Sequence, residues 1–161
     1  MKNIDRDGLM LCELQGKIFE KSVDEYPSSS PIFIRRYMNS DLCSMMDSVS
    51  FLDRPFEAEE AFGEIDEEYG KTKYGSVRYT KEEMFWIGYI YRYWAYTHEV
   101  SSRNVYKTIA GRELVLLYYA YHTLDPKNAI SRILESKGLD SEVDYMTKGV
   151  ELMRKYRGRI K

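Results

Sequence analysis

The sequence is poor in the residues that build disulfide-rich, metal-binding and fibrous proteins. Its 161 residues include only 2 Cys, 2 His, 4 Pro and 10 Gly. Two cysteines outside a C-x-x-C pair do not supply a disulfide scaffold, and scarce proline and glycine exclude a collagen-like or Pro/Gly-rich chain. The length and a composition that is 43% hydrophobic and 31% charged predict one domain over residues 1–161.

Long apolar runs are also missing. The run at residues 84–91, which no other run exceeds in length, meets Arg92 well before the roughly 20 residues that a transmembrane helix needs. The N-terminus, MKNIDRDGLMLCELQGK, has acids and an early glycine where a signal peptide needs a basic and then an apolar segment. With the two unpaired cysteines, these features predict a cytoplasmic protein that does not associate with membranes.

Motifs for metal binding and catalysis are likewise absent. His98 and His122 are 24 residues apart, and neither has a second ligand at a spacing that completes a known metal site. The sequence contains no G-x-S-x-G elbow, no P-loop and no G-x-G-x-x-G. Cys12 lies on the flank of an amphipathic helix and Cys43 between Leu42 and Met45, as small hydrophobic side chains do. The alternative is a Cys–His pair formed on folding. We predict no metal, no cofactor and no catalytic residue, which favours a non-enzymatic role.

Helix signals recur along the chain, and strand alternation hardly appears. The capping and periodicity rules predict helices over residues 9–25, after Ser30-Pro31, after Ser40 or Asp41, over 56–69, 81–98, after Ser101 or Ser102, over 112–122, after Asp125-Pro126, and after Asp140 or Ser141. Residues 70–79 read as a loop. Thr80 and Glu83 form a capping box for the segment 81–98, which is apolar almost all round. We therefore predict an all-α single-domain bundle of about seven or eight helices around a buried, aromatic-rich central helix.

Charge is divided unevenly along the chain. Residues 1–70 carry 7 basic and 16 acidic residues, whereas residues 71–161 carry 17 and 10. Either the two parts face each other within the domain or across a dimer, or they mark an interaction surface. For the second case, the candidate partner contacts are the acidic segment and one basic-aromatic run: Glu59, Glu60, Glu64, Arg35, Arg36 and Tyr37.

Tyrosine is the abundant aromatic residue, and its excess is local. Eight of the 15 tyrosines lie between Tyr89 and Tyr121, around Arg92. A buried arginine needs a carboxylate, carbonyls, aromatic faces or a bound anion. One interpretation is an internal ion pair with an acid of the first half. The alternative is an anion-binding or catalytic pocket formed by Arg92, Tyr89, Tyr96, Tyr118 and Tyr121.

The end of the chain is basic. Residues 148–161 contain six basic residues and one acidic residue. Such a segment can contact phosphates, as in a DNA-binding regulator, or it can be a solvated helix end. Because the rest of the chain offers no basic recognition helix, the sequence disfavours nucleic acid as the partner.

Three runs, LMLCELQGK (9–17), FIRRYMNS (33–40) and FWIGYIYRYW (85–94), carry a resemblance to a family. They resemble small helical bacterial proteins associated with toxin–antitoxin-like gene clusters. The resemblance implies a protein-binding role and assigns no site. The leading hypothesis is a non-enzymatic protein-interaction module, antitoxin-like or regulatory. Its expected partner is a basic protein, and self-association into homo-oligomers is an alternative.

Overall fold

The computed structural model describes residues 1–139. Within them lie nine α-helices: α1 (Arg6–Glu25), α2 (Ser30–Met38), α3 (Asp41–Met46), α4 (Glu60–Tyr69), α5 (Lys81–His98), α6 (Ser102–Thr108), α7 (Gly111–Leu116), α8 (Tyr118–Tyr121) and α9 (Pro126–Ser136). A 3₁₀ turn, Val49–Asp53, follows α3. This part of the chain contains no strand, and none of its helices is long and apolar enough to cross a membrane. The all-α prediction is confirmed, whereas the helix predicted after Asp140 or Ser141 and the basic segment 148–161 lie outside the described residues.

The helix starts follow side-chain caps that the sequence predicts. Thr80 and Glu83 form the expected capping box at the start of α5. Ser40 and Ser101 accept backbone N–H groups at the starts of α3 and α6. At α9, the Asp125 carboxylate accepts the Lys127 N–H at 2.9 Å. Each cap satisfies a donor that the helix itself leaves open, so these boundaries agree with the predicted ones.

Three predicted helices differ from the structure. Helix α1 begins at Arg6 and not at Leu9, because the Asp5 carboxylate accepts the Gly8 N–H at 2.9 Å. Residues 57–59 form a turn before α4, in which the Glu60 carboxylate accepts the Glu57 N–H at 2.7 Å. The predicted helix 112–122 is divided at Leu117, whose N–H bonds back three residues to the Leu114 carbonyl at 3.0 Å. This tighter turn ends α7, and the ring of Tyr118 in α8 meets Trp86 edge-on at 5.8 Å.

The centre of the fold is an antiparallel pair of long helices, α1 and α5. They approach closely at Gly88, where an added Cβ would lie 2.7 Å from Phe19 Cγ and 2.8 Å from the Gln15 carbonyl oxygen. Helices α6, α7 and α9 also pack against α5, and the apolar side chains of α5 belong to the main core cluster. The prediction of a buried, aromatic-rich central helix is confirmed.

The loop between α4 and α5 is fastened to the turn between α1 and α2. The Ser29 N–H donates to the Tyr74 carbonyl at 2.8 Å, and the Ser30 N–H donates to the Val77 carbonyl at 2.9 Å. Arg78 donates to the carbonyls of Tyr26 at 2.6 Å and Pro27 at 2.8 Å. Arg78 also donates to the Val23 carbonyl of α1 at 3.3 Å, which lacks a helical partner because Pro27 has no N–H. The loop therefore caps the C-terminus of that helix.

The two helix glycines Gly63 and Gly88 predict opposite effects of an added methyl group. At Gly63, in the exposed middle of α4, nothing lies within 4 Å of an added Cβ. We expect Gly63→Ala to raise the free energy of unfolding by about 0.5–1 kcal/mol. Gly88→Ala, which forces α1 and α5 apart, is expected to lower it by about 1–3 kcal/mol. Urea unfolding of both variants measures the difference, and equal effects would contradict the packing of α1 on α5.

Candidate functional site

Arg92, the residue that the sequence singles out, lies at the centre of a buried polar cluster. Its side chain is 1% exposed. The Nε and Nη2 groups donate to Gln15 Oε1 at 3.0 and 2.9 Å. Nη1 donates to Asp47 Oδ1 at 2.6 Å and to the Met46 carbonyl at 3.0 Å, and Nη2 reaches the Cys43 carbonyl at 3.3 Å. The protein thus supplies an acceptor for each donor direction of the guanidinium.

Asp47 connects this cluster to α6. Its Oδ1 accepts the Ser102 hydroxyl at 2.5 Å, and its Oδ2 accepts the Ser102 N–H at 3.1 Å. One carboxylate therefore neutralises Arg92 and holds the first residue of α6 at the same time. The interpretation that Arg92 forms an internal ion pair with an acid of the first half is confirmed.

The tyrosines proposed for an anion pocket form other contacts. Tyr96 donates its hydroxyl to Asp5 Oδ1 at 2.5 Å, beside the N-terminus of α1. Tyr118 stacks on His122 at 4.4 Å, and Tyr89 stacks against Tyr93 at 6.4 Å. Tyr121 is half-buried in α8. Because Arg92 is saturated by Gln15, Cys43, Met46 and Asp47, the structure does not assemble the Arg92–tyrosine pocket.

Two of the predicted partner contacts are structural residues. Tyr37 is fully buried, and its hydroxyl lies 3.1 Å from Gln15 Oε1 and 2.9 Å from Met46 Sδ. Arg36 is 7% exposed and donates to the Tyr26 hydroxyl at 2.9 Å and to Thr72 Oγ1 at 2.5 Å. Both side chains face the core because α2 buries this face, so their placement at a partner surface is corrected.

The remaining predicted contacts lie at the surface. Arg35 is exposed on α2, and Glu59 and Glu60 are exposed near the start of α4. Glu64 is half-buried and lies 3.4 Å from Arg54. Of these four residues, the structure brings only Glu59 to a concave surface.

That concave surface is an open groove of about 1040 Å³ between α1 and the segment 56–59. One wall is the outer face of α1, where Leu9 and Met10 are 42% and 48% exposed. Half-buried Leu14 and Phe56 complete the apolar lining. We call this surface the α1 groove; it is lined by Arg6, Leu9, Met10, Glu13, Leu14, Lys17, Glu20, Lys21, Asp24, Glu25, Phe56, Glu57, Ala58, Glu59 and Lys81.

Charged side chains form the rim of the α1 groove, with acids in excess. The lining contains six acidic and four basic residues. Two of the basic residues are paired: Lys21 with Glu59 at 2.7 Å, and Lys81 with Asp24 at 2.8 Å. The hydrogen bond from Lys21 lowers the pKa of Glu59. Both ion pairs lie toward the C-terminal end of α1, and the lining beyond them keeps more acids than bases.

The α1 groove escapes sequence reasoning because its walls are far apart in the chain. The apolar residues Leu9, Met10 and Leu14 read as part of an ordinary amphipathic helix, and Phe56 reads as the start of a later one. A usable signal is the adjacent pair Leu9 and Met10, which a single buried stripe does not accommodate. Gln15 was also missed, although a polar residue between the buried positions Leu11 and Ile18 marks a side chain that needs a partner.

Within residues 1–139, no group of three His, Cys, Asp or Glu side chains is placed to hold a metal ion. Comparison with known proteins finds no matching family, no matching curated protein and no matching solved structure. The α1 groove is therefore the candidate site on geometric grounds.

The Arg92 cluster predicts a large loss of stability without its cation. Arg92→Met leaves Asp47 and Gln15 without their shared donor, so we expect the free energy of unfolding to fall by about 3–5 kcal/mol. Arg35→Met, on the exposed face of α2, is the matched control and is expected to change it by less than about 0.5 kcal/mol. Urea unfolding monitored by circular dichroism measures both, and similar values would contradict the cluster.

The buried thiols predict an alkaline loss of stability. Burial raises the pKa of Cys12 to about 12 and that of Cys43 to about 11, from 9.0. Since the unfolded chain releases these protons first, the stability that each buried thiol contributes is complete below about pH 9. It is lost as pH rises through about 11 for Cys43 and about 12 for Cys12. We expect the free energy of unfolding to fall between pH 9 and 11, and less steeply in a Cys12→Ala, Cys43→Ala variant. A slope unchanged in that variant would contradict the assignment.

Proposed function

We propose that the chain is a non-enzymatic, cytoplasmic protein-interaction module, an antitoxin-like or regulatory protein that holds a basic segment of a partner in the α1 groove. The observation that supports this proposal is the exposure of Leu9 and Met10, 42% and 48%, on the wall of a groove of about 1040 Å³. Neighbouring apolar side chains exposed in a concave surface are typical of a docking site.

The shape of the α1 groove suits an amphipathic helix. Its long wall follows the 20 residues of α1, a length of about 30 Å at 1.5 Å per residue. Met10 and Leu14, four residues apart, lie on one stripe of that wall, and Leu9 flanks the groove on its other side. An incoming helix places its apolar face on such a stripe, with anchors three and four residues apart.

The charge of the α1 groove favours a basic partner. Beyond the two ion pairs, four acids (Glu13, Glu20, Glu25 and Glu57) line the groove together with Arg6 and Lys17. Lysine and arginine residues flanking the apolar face of a partner helix would meet the excess of carboxylates. Since these groups lie at a solvent-exposed rim, their attraction is expected to weaken with salt.

The resemblance to proteins of toxin–antitoxin-like gene clusters points in the same direction. One of the three runs that carry it, residues 9–17, contributes Leu9, Met10, Glu13, Leu14 and Lys17 to the α1 groove. The other two runs, 33–40 and 85–94, consist mainly of core residues. Residues 9–17 are therefore the one run that both carries the resemblance and places several side chains in the α1 groove, where a partner can contact them.

No observation on the described residues supports either of the two alternative functions. The anion-binding or enzymatic alternative needs Arg92 to face a ligand, and its donors are directed at protein acceptors. The DNA-binding alternative depends on residues 148–161, which lie outside the described part of the chain. The α1 groove thus remains the basis of the proposal.

A labelled 18-residue peptide of leucine and lysine in an amphipathic pattern is a suitable probe of the α1 groove. We expect the full chain to bind it, and the Leu9→Ser, Met10→Ser variant to bind it at least about tenfold more weakly, because two apolar contacts are lost. Glu13→Lys with Glu20→Lys is expected to weaken binding most at low salt. Fluorescence anisotropy at 50 and 300 mM salt measures both effects.

Two controls make this experiment decisive. The Leu116→Ser, Tyr119→Ser variant removes exposed apolar side chains outside the α1 groove and is expected to bind the peptide as the unchanged chain does. A peptide with glutamate in place of lysine is expected to bind poorly. Equal binding of both peptides, or unchanged affinity of the Leu9→Ser, Met10→Ser variant, would overturn the proposal.

A further inference from the structure

Charge is distributed unevenly along the α1 groove. At one end, residues 6–17 of α1 contribute Arg6 and Lys17 against Glu13 to the lining. Even with Asp7, which is exposed on the same helix without lining the groove, this end carries no net charge. The last turns of α1 and the segment that faces them contribute five acids and two bases, which we call the acidic end: Glu20, Asp24, Glu25, Glu57, Glu59, Lys21 and Lys81.

The two lysines of the acidic end do not neutralise its carboxylates. Lys21 Nζ lies 2.7 Å from Glu59. The hydrogen bond to Glu59 and the nearby carboxylates of Glu25 and Glu20 raise the pKa of Lys21, so one cation faces three acids. The second lysine is already paired with a carboxylate at 2.8 Å. Arg78 donates to backbone carbonyls at the end of α1 and does not line the groove. Negative charge therefore remains for a partner at this end.

Exposed apolar side chains mark the opposite end of the α1 groove. Leu9 and Met10 are 42% and 48% exposed, and Leu14 is half-buried beside them. The middles of the segments 9–14 and 20–25 of α1 are about 16 Å apart along the helix axis, at 1.5 Å per residue. This separation is about twice the Debye length at physiological salt, roughly 8 Å. A charge on a bound partner is therefore affected mainly by the end over which it lies.

This layout also favours one direction for a bound helix. A helix is itself most stable with acids in its first turns and bases in its last turns. A helix with that order places its bases over the acidic end only when it runs parallel to α1, with its N-terminal half over residues 9–14. In the opposite direction its bases would lie over Arg6 and Lys17 instead, and the attraction would be lost.

We infer that the partner of the α1 groove is an amphipathic helix whose basic residues are confined to its C-terminal half and which binds parallel to α1. This inference rests on the proposed function and narrows it from any basic segment to one with this order of charges. Glu20 and Glu25 are then specificity-determining residues, because they distinguish the order of a partner's charges and not only its net charge.

Two labelled 18-residue peptides of equal composition test the inference on the full chain. Both carry the same leucine face, three glutamates and three lysines. The acid-first peptide has its glutamates in the first half, and the base-first peptide has its lysines there. We expect the chain to bind the acid-first peptide at least about fivefold more tightly at 50 mM salt, because several rim ion pairs form only in this order. The preference is expected to shrink at 300 mM, and fluorescence anisotropy measures both affinities.

A charge-reversed variant separates the groove from the peptides' own helicity. The tendency of each peptide to form a helix affects every variant equally, so a change in the ratio of the two Kd values reports the protein. In the Glu20→Lys, Glu25→Lys variant we expect this ratio to fall to about one or to invert. Glu67→Lys with Glu135→Lys makes the same charge change at exposed positions outside the groove. This matched control is expected to keep the preference.

The outcomes distinguish this inference from the proposed function. If the leucine–lysine peptide does not bind the full chain, the proposed function fails and the inference fails with it. If that peptide binds but the two ordered peptides bind equally or not at all, or the base-first peptide binds more tightly, the inference alone is overturned. It is also overturned by a preference that the Glu20→Lys, Glu25→Lys variant retains or that the matched control loses.

Discussion

The fold depends on the burial of one cation, Arg92. Removing a guanidinium from water is costly unless the protein replaces its hydrogen bonds. Here the replacements come from Gln15 on α1, from Cys43 and Met46 on α3, and from Asp47 just after α3. These segments are far apart in sequence, so one side chain of the central helix sets their relative positions. The Asp47 carboxylate also accepts the Ser102 hydroxyl and thereby positions the start of α6.

Close approach of the two long helices is the second constraint, and it supports the first. Gly88 of α5 brings its carbonyl within 2.8 Å of the Gln15 side-chain amide, which donates to it. The Gln15 amide group therefore joins both helices: its nitrogen binds α5 backbone, and its oxygen accepts from Arg92. A larger residue than glycine would separate the helices and withdraw the acceptor that the guanidinium requires. The close packing of α1 on α5 and the hydrogen bonding of Arg92 therefore depend on each other.

Local signals account for the part of the structure that was predicted from sequence. Caps such as Thr80 with Glu83, and the apolar character of residues 81–98, depend on neighbours within one helix, so the all-α class and the capped helix starts follow from them. The partners of Arg92 depend on which distant segments meet, and no local pattern contains that information. Arg36 and Tyr37 show the same limit, because a basic-aromatic pair reads as a surface motif until α2 is packed. The α1 groove needs two walls that only the fold brings together.

The uneven charge of the chain has a different meaning once the pairs are known. Asp47 is neutralised by the buried Arg92, and the surface acids Asp24 and Asp41 lie beside Lys81 and Arg103 of the basic part. Three acids of the first part therefore meet bases of the second, whereas Glu59 pairs with Lys21 of its own part. The pairing is incomplete along the α1 groove. An internal pair contributes to the fold, whereas a rim carboxylate beside exposed leucine and methionine is available to another molecule. Charge asymmetry becomes informative about partners only at the positions where the fold leaves it uncompensated next to apolar surface.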